Sequence, residues 1–191
     1  MANYDMEMVL TWAKVFPENV DMGDPNGGKA AKKIAQKGGQ YIVNAYFTDE
    51  NQIKQLLEDG LDPLPMNHKR IVEGDADFGI GKYMKIKRMV DDVRVFTNKR
   101  GEEITRDFGG PPKVVDLRDG VESKRLWSVE EDGFLGNGTR SRVQFETYSS
   151  GAGVRLLNLG ILNLVEYENI SSGDADWVVP SQEDPQDDGG F

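Results

Sequence analysis

Cysteine is absent from the 191 residues and histidine occurs once, as His68. Disulfides, thiolate metal sites and thiol nucleophiles are therefore excluded, as is a histidine-cluster metal site within one chain. Ser-His-Asp catalysis would have to use His68, whose setting, Pro65-Met66-Asn67-His68-Lys69-Arg70, is expected to be an exposed loop. No run of 18 apolar residues exists, so no transmembrane helix and no membrane partner are expected. The start, MANYDMEMVLTW, has two acids before its apolar run and no basic n-region, which argues against a secretory signal.

Catalytic signatures are missing too. There is no Gly-Lys-Ser/Thr phosphate loop, no H-E-x-x-H and no G-x-S-x-G. Gly133, Gly136 and Gly138 have the wrong order for a dinucleotide fingerprint, and a hairpin turn explains them better. Gly-Asp-Ala-Asp occurs at 74–77 and again at 173–176, each time without the downstream ligands of a calcium loop, so the repeat reads as coincidence. No cofactor and no enzymatic activity are expected, although acids from separate loops could still converge into a metal-dependent nuclease site.

Base is also missing from the C-terminal end. No lysine or arginine follows Arg155, whereas eight of the 33 acids do, which leaves 25 acids against all 23 bases in the first 155 residues. The net charge of -10 thus belongs mostly to the tail, and a nearly neutral body can hold basic patches.

What is present is a chain that is 38% hydrophobic and 29% charged, enough for one domain over residues 1–170, followed by a tail over 171–191. Strands are expected at Glu7 to Phe16, Gln40 to Thr48, Lys82 to Val90, Lys113 to Leu117, Thr139 to Tyr148 and Val154 to Glu168, with a hairpin between Val93 and Ile104. Alternation puts Met8, Leu10, Trp12 and Lys14 on one face of the first strand and Val9, Thr11, Ala13 and Val15 on the other. A helix opened by Asp49 or Glu50 carries an Ile53, Leu56 and Leu57 stripe. Leu61 to Gly81, with three turn signals, is expected to be loop. Met22 to Gln40 reads as a mobile loop with a solvated helix at Lys29 to Gln36, or as a flexible basic arm near an anionic ligand. Ser123 to Asp132 fits either a short helix or an edge strand.

In the third strand Tyr83, Lys85 and Lys87 share a face, opposite Met84 and Ile86. A ring between two ammonium groups can stack on a base while they neutralise phosphates, although an ordinary solvated face has the same pattern. In the strand from Thr139, entered through Gly136-Asn137-Gly138, Arg140 and Arg142 oppose Val143 and Phe145. The last strand contains Gly160, where a long strand can bend to turn a barrel corner.

These segments, taken in order, resemble the tailed-bacteriophage single-stranded DNA-binding proteins. The resemblance rests on Trp12-Ala13-Lys14-Val15-Phe16-Pro17, Tyr83-Met84-Lys85-Ile86-Lys87-Arg88, Pro111-Pro112-Lys113-Val114-Val115-Asp116, the Gly136-Asn137-Gly138 strand with Gly-Ala-Gly-Val-Arg-Leu-Leu after it, and the tail ending in Phe191. Segment 123–133 has no counterpart in it, and segment 22–40 is longer than a minimal connection between the first two strands. The resemblance implies a mainly β, OB-fold five-stranded Greek-key barrel with one or two short helices and a disordered acidic tail. It further implies a protein that coats single-stranded DNA in phage replication, recombination and repair, in the cytoplasm of the bacterial host. DNA is then expected on Tyr83, Lys85 and Lys87, flanked by Arg140, Arg142, Tyr148 and Arg155, with Trp12, Lys14, Arg88, Arg94, Lys99 and Arg100 as further contacts. Asp184, Asp187, Asp188 and Phe191 of the tail are expected to recruit a polymerase, helicase or nuclease and to compete with DNA for the groove. Tails exchanged between grooves could also make a homodimer. The alternative is a protein-only interaction or virion-assembly module.

Overall fold

Alternation of apolar and polar residues makes strand the commonest element, and the computed structural model describes residues 2–167. The expected disordered tail, with Asp184, Asp187, Asp188 and Phe191, lies outside the described residues. The elements are β1 (Ala2–Lys14), α1 (Lys29–Gln36), β2 (Gln40–Phe47), α2 (Glu50–Glu58), β3 (Ile71–Glu73), β4 (Lys82–Met89), β5 (Val93–Thr97), β6 (Glu103–Asp107), β7 (Lys113–Asp116), β8 (Arg125–Leu126), α3 (Val129–Asp132), β9 (Thr139–Tyr148) and β10 (Gly153–Asn163). One sheet runs in the order β3-β4-β2-β1-β9-β10-β7-β8, and β5-β6 forms a separate ribbon.

The pairs β1-β2, β2-β4, β1-β9 and β9-β10 are all antiparallel, so β10 runs the same way as β4. The sheet curls until β10 lies back against β4. A meander of three strands, then a hairpin that returns beside the first strand and closes on the third, is the OB order. The five expected barrel strands are β1, β2, β4, β9 and β10; β7 joins β10 in parallel and β8 extends it.

The inner faces make one core. Met8, Leu10, Val43, Ala45, Phe47, Met84, Ile86, Val143, Phe145, Leu156, Leu159 and Ile161 are buried in it, and Leu56 of α2 plugs an end. Asp49 caps α2 by accepting from the Asn51 N–H at 2.8 Å. The helix stripe is narrower than its spacing suggests: Leu56 is buried and Ile53 half-buried, while Leu57 faces solvent.

Four local expectations change. The first strand starts at Ala2 rather than Glu7, because Asp5 and Glu7 are outward carboxylates that pair with Arg142 and Arg140 of β9 while Tyr4 and Met6 face the core. Its face assignment also breaks: the register shifts between Thr11 and Lys14, so Ala13 and Val15 join Met8 and Leu10 inside while Trp12 and Lys14 are outside. The last strand ends at Asn163, and its irregularities flank Gly160 rather than fall on it. At Gly160 a Cβ would meet Leu117 Cδ1 at 2.4 Å, so a larger residue there would need the Leu117 side chain to shift. Finally, the turn-rich 61–81 segment contains the short strand β3, and 123–133 holds both a two-residue strand and a one-turn helix.

The β7-β8 extension is held by charge. Asp116 and Asp132, both nearly covered, accept from Arg118 and Arg125, and the Arg118 guanidinium lies 5.2 Å over the Trp127 ring. Hydrogen bonds from Arg118 hold the Asp116 carboxyl down at about 2, below its ordinary 3.8. A depressed carboxyl stabilises the fold above its unfolded value and loses that contribution as pH falls through the folded one. The urea midpoint is therefore expected to fall between pH 4 and pH 2, and Asp116→Asn is expected to flatten that part of the profile.

Candidate nucleic-acid interface

Beside β4 the barrel surface opens into a groove of about 440 Å³. Its floor is β4, where alternation sends Met84 and Ile86 inward and Lys85 and Lys87 outward. One wall is the 65–70 loop, with His68, Lys69 and Arg70, and the other is α1, with Lys33 and Lys37. The far end is built by Arg88, Arg94, Tyr148 and Arg155. Nine cationic side chains thus line the groove with a single carboxylate, Asp92, in a chain of net charge -10.

The cations divide into two sets by what they bond. Arg94 is held by Asp92 through paired hydrogen bonds of 2.8 and 2.5 Å. Arg88 donates to the Gly109 carbonyl, and Arg70 donates to the Ala152 carbonyl at 2.5 Å, tying the loop wall to the β9-β10 turn. Arg155 is buried, pairs with Glu146 and lies 4.0 Å over the Phe108 ring. The Tyr148 ring stands between Arg94 and Arg155, 5.3 and 6.0 Å from their guanidinium carbons, and against the Gly153 backbone. These side chains are the frame. By contrast Lys33, Lys37, Lys69, Lys85 and Lys87 make no ion pair among the described residues, so their ammonium groups are left for a ligand.

Electrostatics agree with that division. Burial, then Lys33, Arg70 and Lys85, push the Lys87 ammonium below its ordinary value, although it reaches solvent from the groove floor. Burial lowers Arg70 and Arg88 too, the latter with help from Arg155. Crowded like charges cost free energy in the empty groove, and a polyanion would relieve that cost.

Of the residues expected from sequence, the groove gathers Lys85, Lys87, Arg88, Arg94, Tyr148 and Arg155. Tyr83 does not line it: its ring stacks on Tyr46 at 4.9 Å, under the 74–81 loop, where Gly74 leaves no room for a side chain. Arg140 and Arg142 lie on the outer face of β9, where Glu7 and Asp5 neutralise them; Arg142 bonds Asp5 at 3.0 and 2.7 Å. Arg142 lines a different, smaller depression with Lys113 and Lys124. Lys99 and Arg100 are exposed at the tip of the β5-β6 ribbon, away from the groove lining. Trp12 and Lys14 are exposed on β1. The groove also recruits Lys33, Lys37, His68, Lys69 and Arg70. Their signal was the basic run His68-Lys69-Arg70 and the basic arm reading of 22–40. Among the described residues, no three of His, Asp and Glu gather as metal ligands, and no helix is long and apolar enough to cross a membrane.

Fold and groove together define an OB-type barrel with a one-sided cationic groove. No protein-family model and no curated protein matches the chain. Among solved structures, it is similar to the single-stranded DNA-binding protein from bacteriophage Enc34, with a TM-score of 0.42 and 13% identity over 90% of this chain and 86% of that one. It is similar also to a C-terminal truncation of that protein, with a TM-score of 0.43 and 13% identity over 87% of this chain and 86% of the other.

Proposed function

We propose that the protein binds single-stranded DNA in the groove beside β4 without catalysing a chemical step, coating the strand during phage DNA replication, recombination and repair in the bacterial host cytoplasm. The observation that carries this reading is the concentration of nine cations around one carboxylate on an otherwise acidic chain, seven of the nine without an ion pair and five of those seven without a hydrogen bond either, among the described residues. Their phosphate contacts supply a salt-sensitive, sequence-independent affinity. A single strand can follow a curved, short-walled groove while its unstacked bases reach the flanking surface.

The acidic tail has two roles in this reading. Its carboxylates occupy the groove when DNA is absent, and, once displaced, Asp184, Asp187, Asp188 and Phe191 recruit a polymerase, helicase or nuclease. Fluorescence anisotropy of labelled oligo-dT and of a matched duplex, across a salt series, tests the reading with the full chain and with residues 1–170. Single-strand preference that weakens with salt is expected, with tighter binding by the shorter chain. Absence of binding at low salt in both proteins overturns DNA binding, weaker binding by 1–170 overturns the competition, and strand cleavage in magnesium overturns the non-catalytic assignment.

A further inference from the structure

Trp12 is 71% exposed, whereas Trp127 is buried with its indole N–H donated to the Gly133 carbonyl. The exposure of Trp12 is constructed by the backbone. Along β1, Met6, Met8 and Leu10 alternate into the core, and the next inward position of that rhythm is residue 12. Yet Thr11 pairs with Asn44 and Lys14 with Ile42, so Trp12 and Ala13 together stand opposite Val43. Ala13 takes the inward place, and Trp12 is the extra residue of a β-bulge, turned out to solvent at φ 51.

A bulky residue in the left-handed region is strained, and such strain persists only where surrounding bonds impose it. Here the bonds come from Gly136-Asn137-Gly138, 125 positions away. Asn137 Oδ1 accepts the Trp12 N–H at 2.8 Å, and the Gly138 N–H donates to the Leu10 carbonyl at 2.9 Å. Without residue 12 the strand faces would alternate unbroken, with Leu10, Ala13 and Val15 on the core face and Thr11, itself covered, and Lys14 on the other. The chain therefore carries one additional residue whose result is to hold an indole in water.

The registers say what lies beside it. The row Lys14–Ile42–Lys87 and the row Thr11–Asn44–Lys85 cross β1, β2 and β4 on either side of the bulge, and each ends at a groove lysine. Strand spacing puts those lysines about 10 Å from β1. A polyanion leaving the groove over Lys85 and Lys87 thus meets Lys14 and the Trp12 face next.

We propose that Trp12 is a base-stacking platform that continues the groove path across β2, with Lys14 taking the adjoining phosphate. It rests on the groove holding single-stranded DNA. A flat indole with no ring or cation partner among the described side chains, beside the exposed Lys14 ammonium, which makes no ion pair among the described residues, fits a nucleobase on a phosphodiester chain, and stacking of this kind tolerates any base.

Two parallel titrations with oligo-dT test it in the full chain carrying Trp177→Phe: anisotropy of labelled DNA reports binding, and intrinsic fluorescence with unlabelled DNA reports Trp12. The parent and its Trp127→Phe variant are expected to be quenched on saturation. Trp12→Phe is expected to keep most affinity and lose the quench, while Trp12→Ala weakens binding by about 5- to 150-fold. Trp12→Gly, which suits the left-handed backbone, is expected to melt no lower than the parent and to bind as weakly as the alanine variant. DNA binding without quenching in the parent, or unchanged affinity in the alanine and glycine variants, overturns the platform and leaves the groove standing. Absence of oligo-dT binding by the parent overturns both.

Discussion

Replacing Lys85 and Lys87 together with methionine will lower affinity for oligo-dT by roughly 60-fold near 50 mM salt and about tenfold near 200 mM. Each phosphate contact on a single strand contributes about 0.7 to the slope of log affinity against log salt, so two lost contacts flatten the slope by about 1.4, and the deficit shrinks as salt rises. Both ammonium groups stand on the groove floor with no ion pair among the described residues, so no internal bond is broken by their removal. Because neighbouring cations and burial already disfavour the Lys87 charge, the Lys87→Met half of the change relieves repulsion, and the thermal midpoint is expected to hold or rise. Anisotropy across the salt series, beside a melting curve, checks both parts. An unchanged slope would remove β4 from the interface.

Arg155→Ala will do the reverse, reducing stability by about 3 to 5 kcal/mol. Arg155 lies opposite Glu146 in the β9-β10 register, and both side chains are only 10% exposed. Truncating the arginine leaves a covered carboxylate without its counter-ion and removes the guanidinium packed over Phe108. For a chain of this size that corresponds to a drop of about 10 °C in thermal midpoint. The pair itself is not a strong source of stability, since two covered charges have given up their water and Arg155 Nε has no hydrogen-bond partner among the described residues. Replacing both residues, as Glu146→Leu with Arg155→Met, is therefore expected to recover most of the loss. A melt of the double variant beside Arg155→Met alone separates an uncompensated charge from lost packing, because both carry the same side chain over Phe108 and only the single keeps Glu146.

Strand β9 was legible to the residue because its turn and its period-2 pattern are both local, and α1 and the β5-β6 ribbon were legible for the same reason. Asp5 and Glu7 hid the first third of β1, since their partners Arg142 and Arg140 lie more than 130 positions away. The same remoteness decides which cations are free. Arg140 and Lys85 look alike in a strand pattern, and only the pairing of β9 with β1 shows that one is spent on Glu7. The Trp12 bulge was illegible because its cause, the Asn137 side chain, belongs to another turn. Tyr83 was sought as a platform from its lysine neighbours, but its half-buried ring stacks on Tyr46 beside Gly74 of the 74–81 loop, a contact its own strand pattern does not show.

The eight-stranded sheet ends in β3, of three residues, and β8, of two. An edge that short offers few unpaired backbone groups on which another molecule could grow a sheet. Under the proposed coating role, copies set side by side on one strand would meet at high local concentration without a template for aggregation.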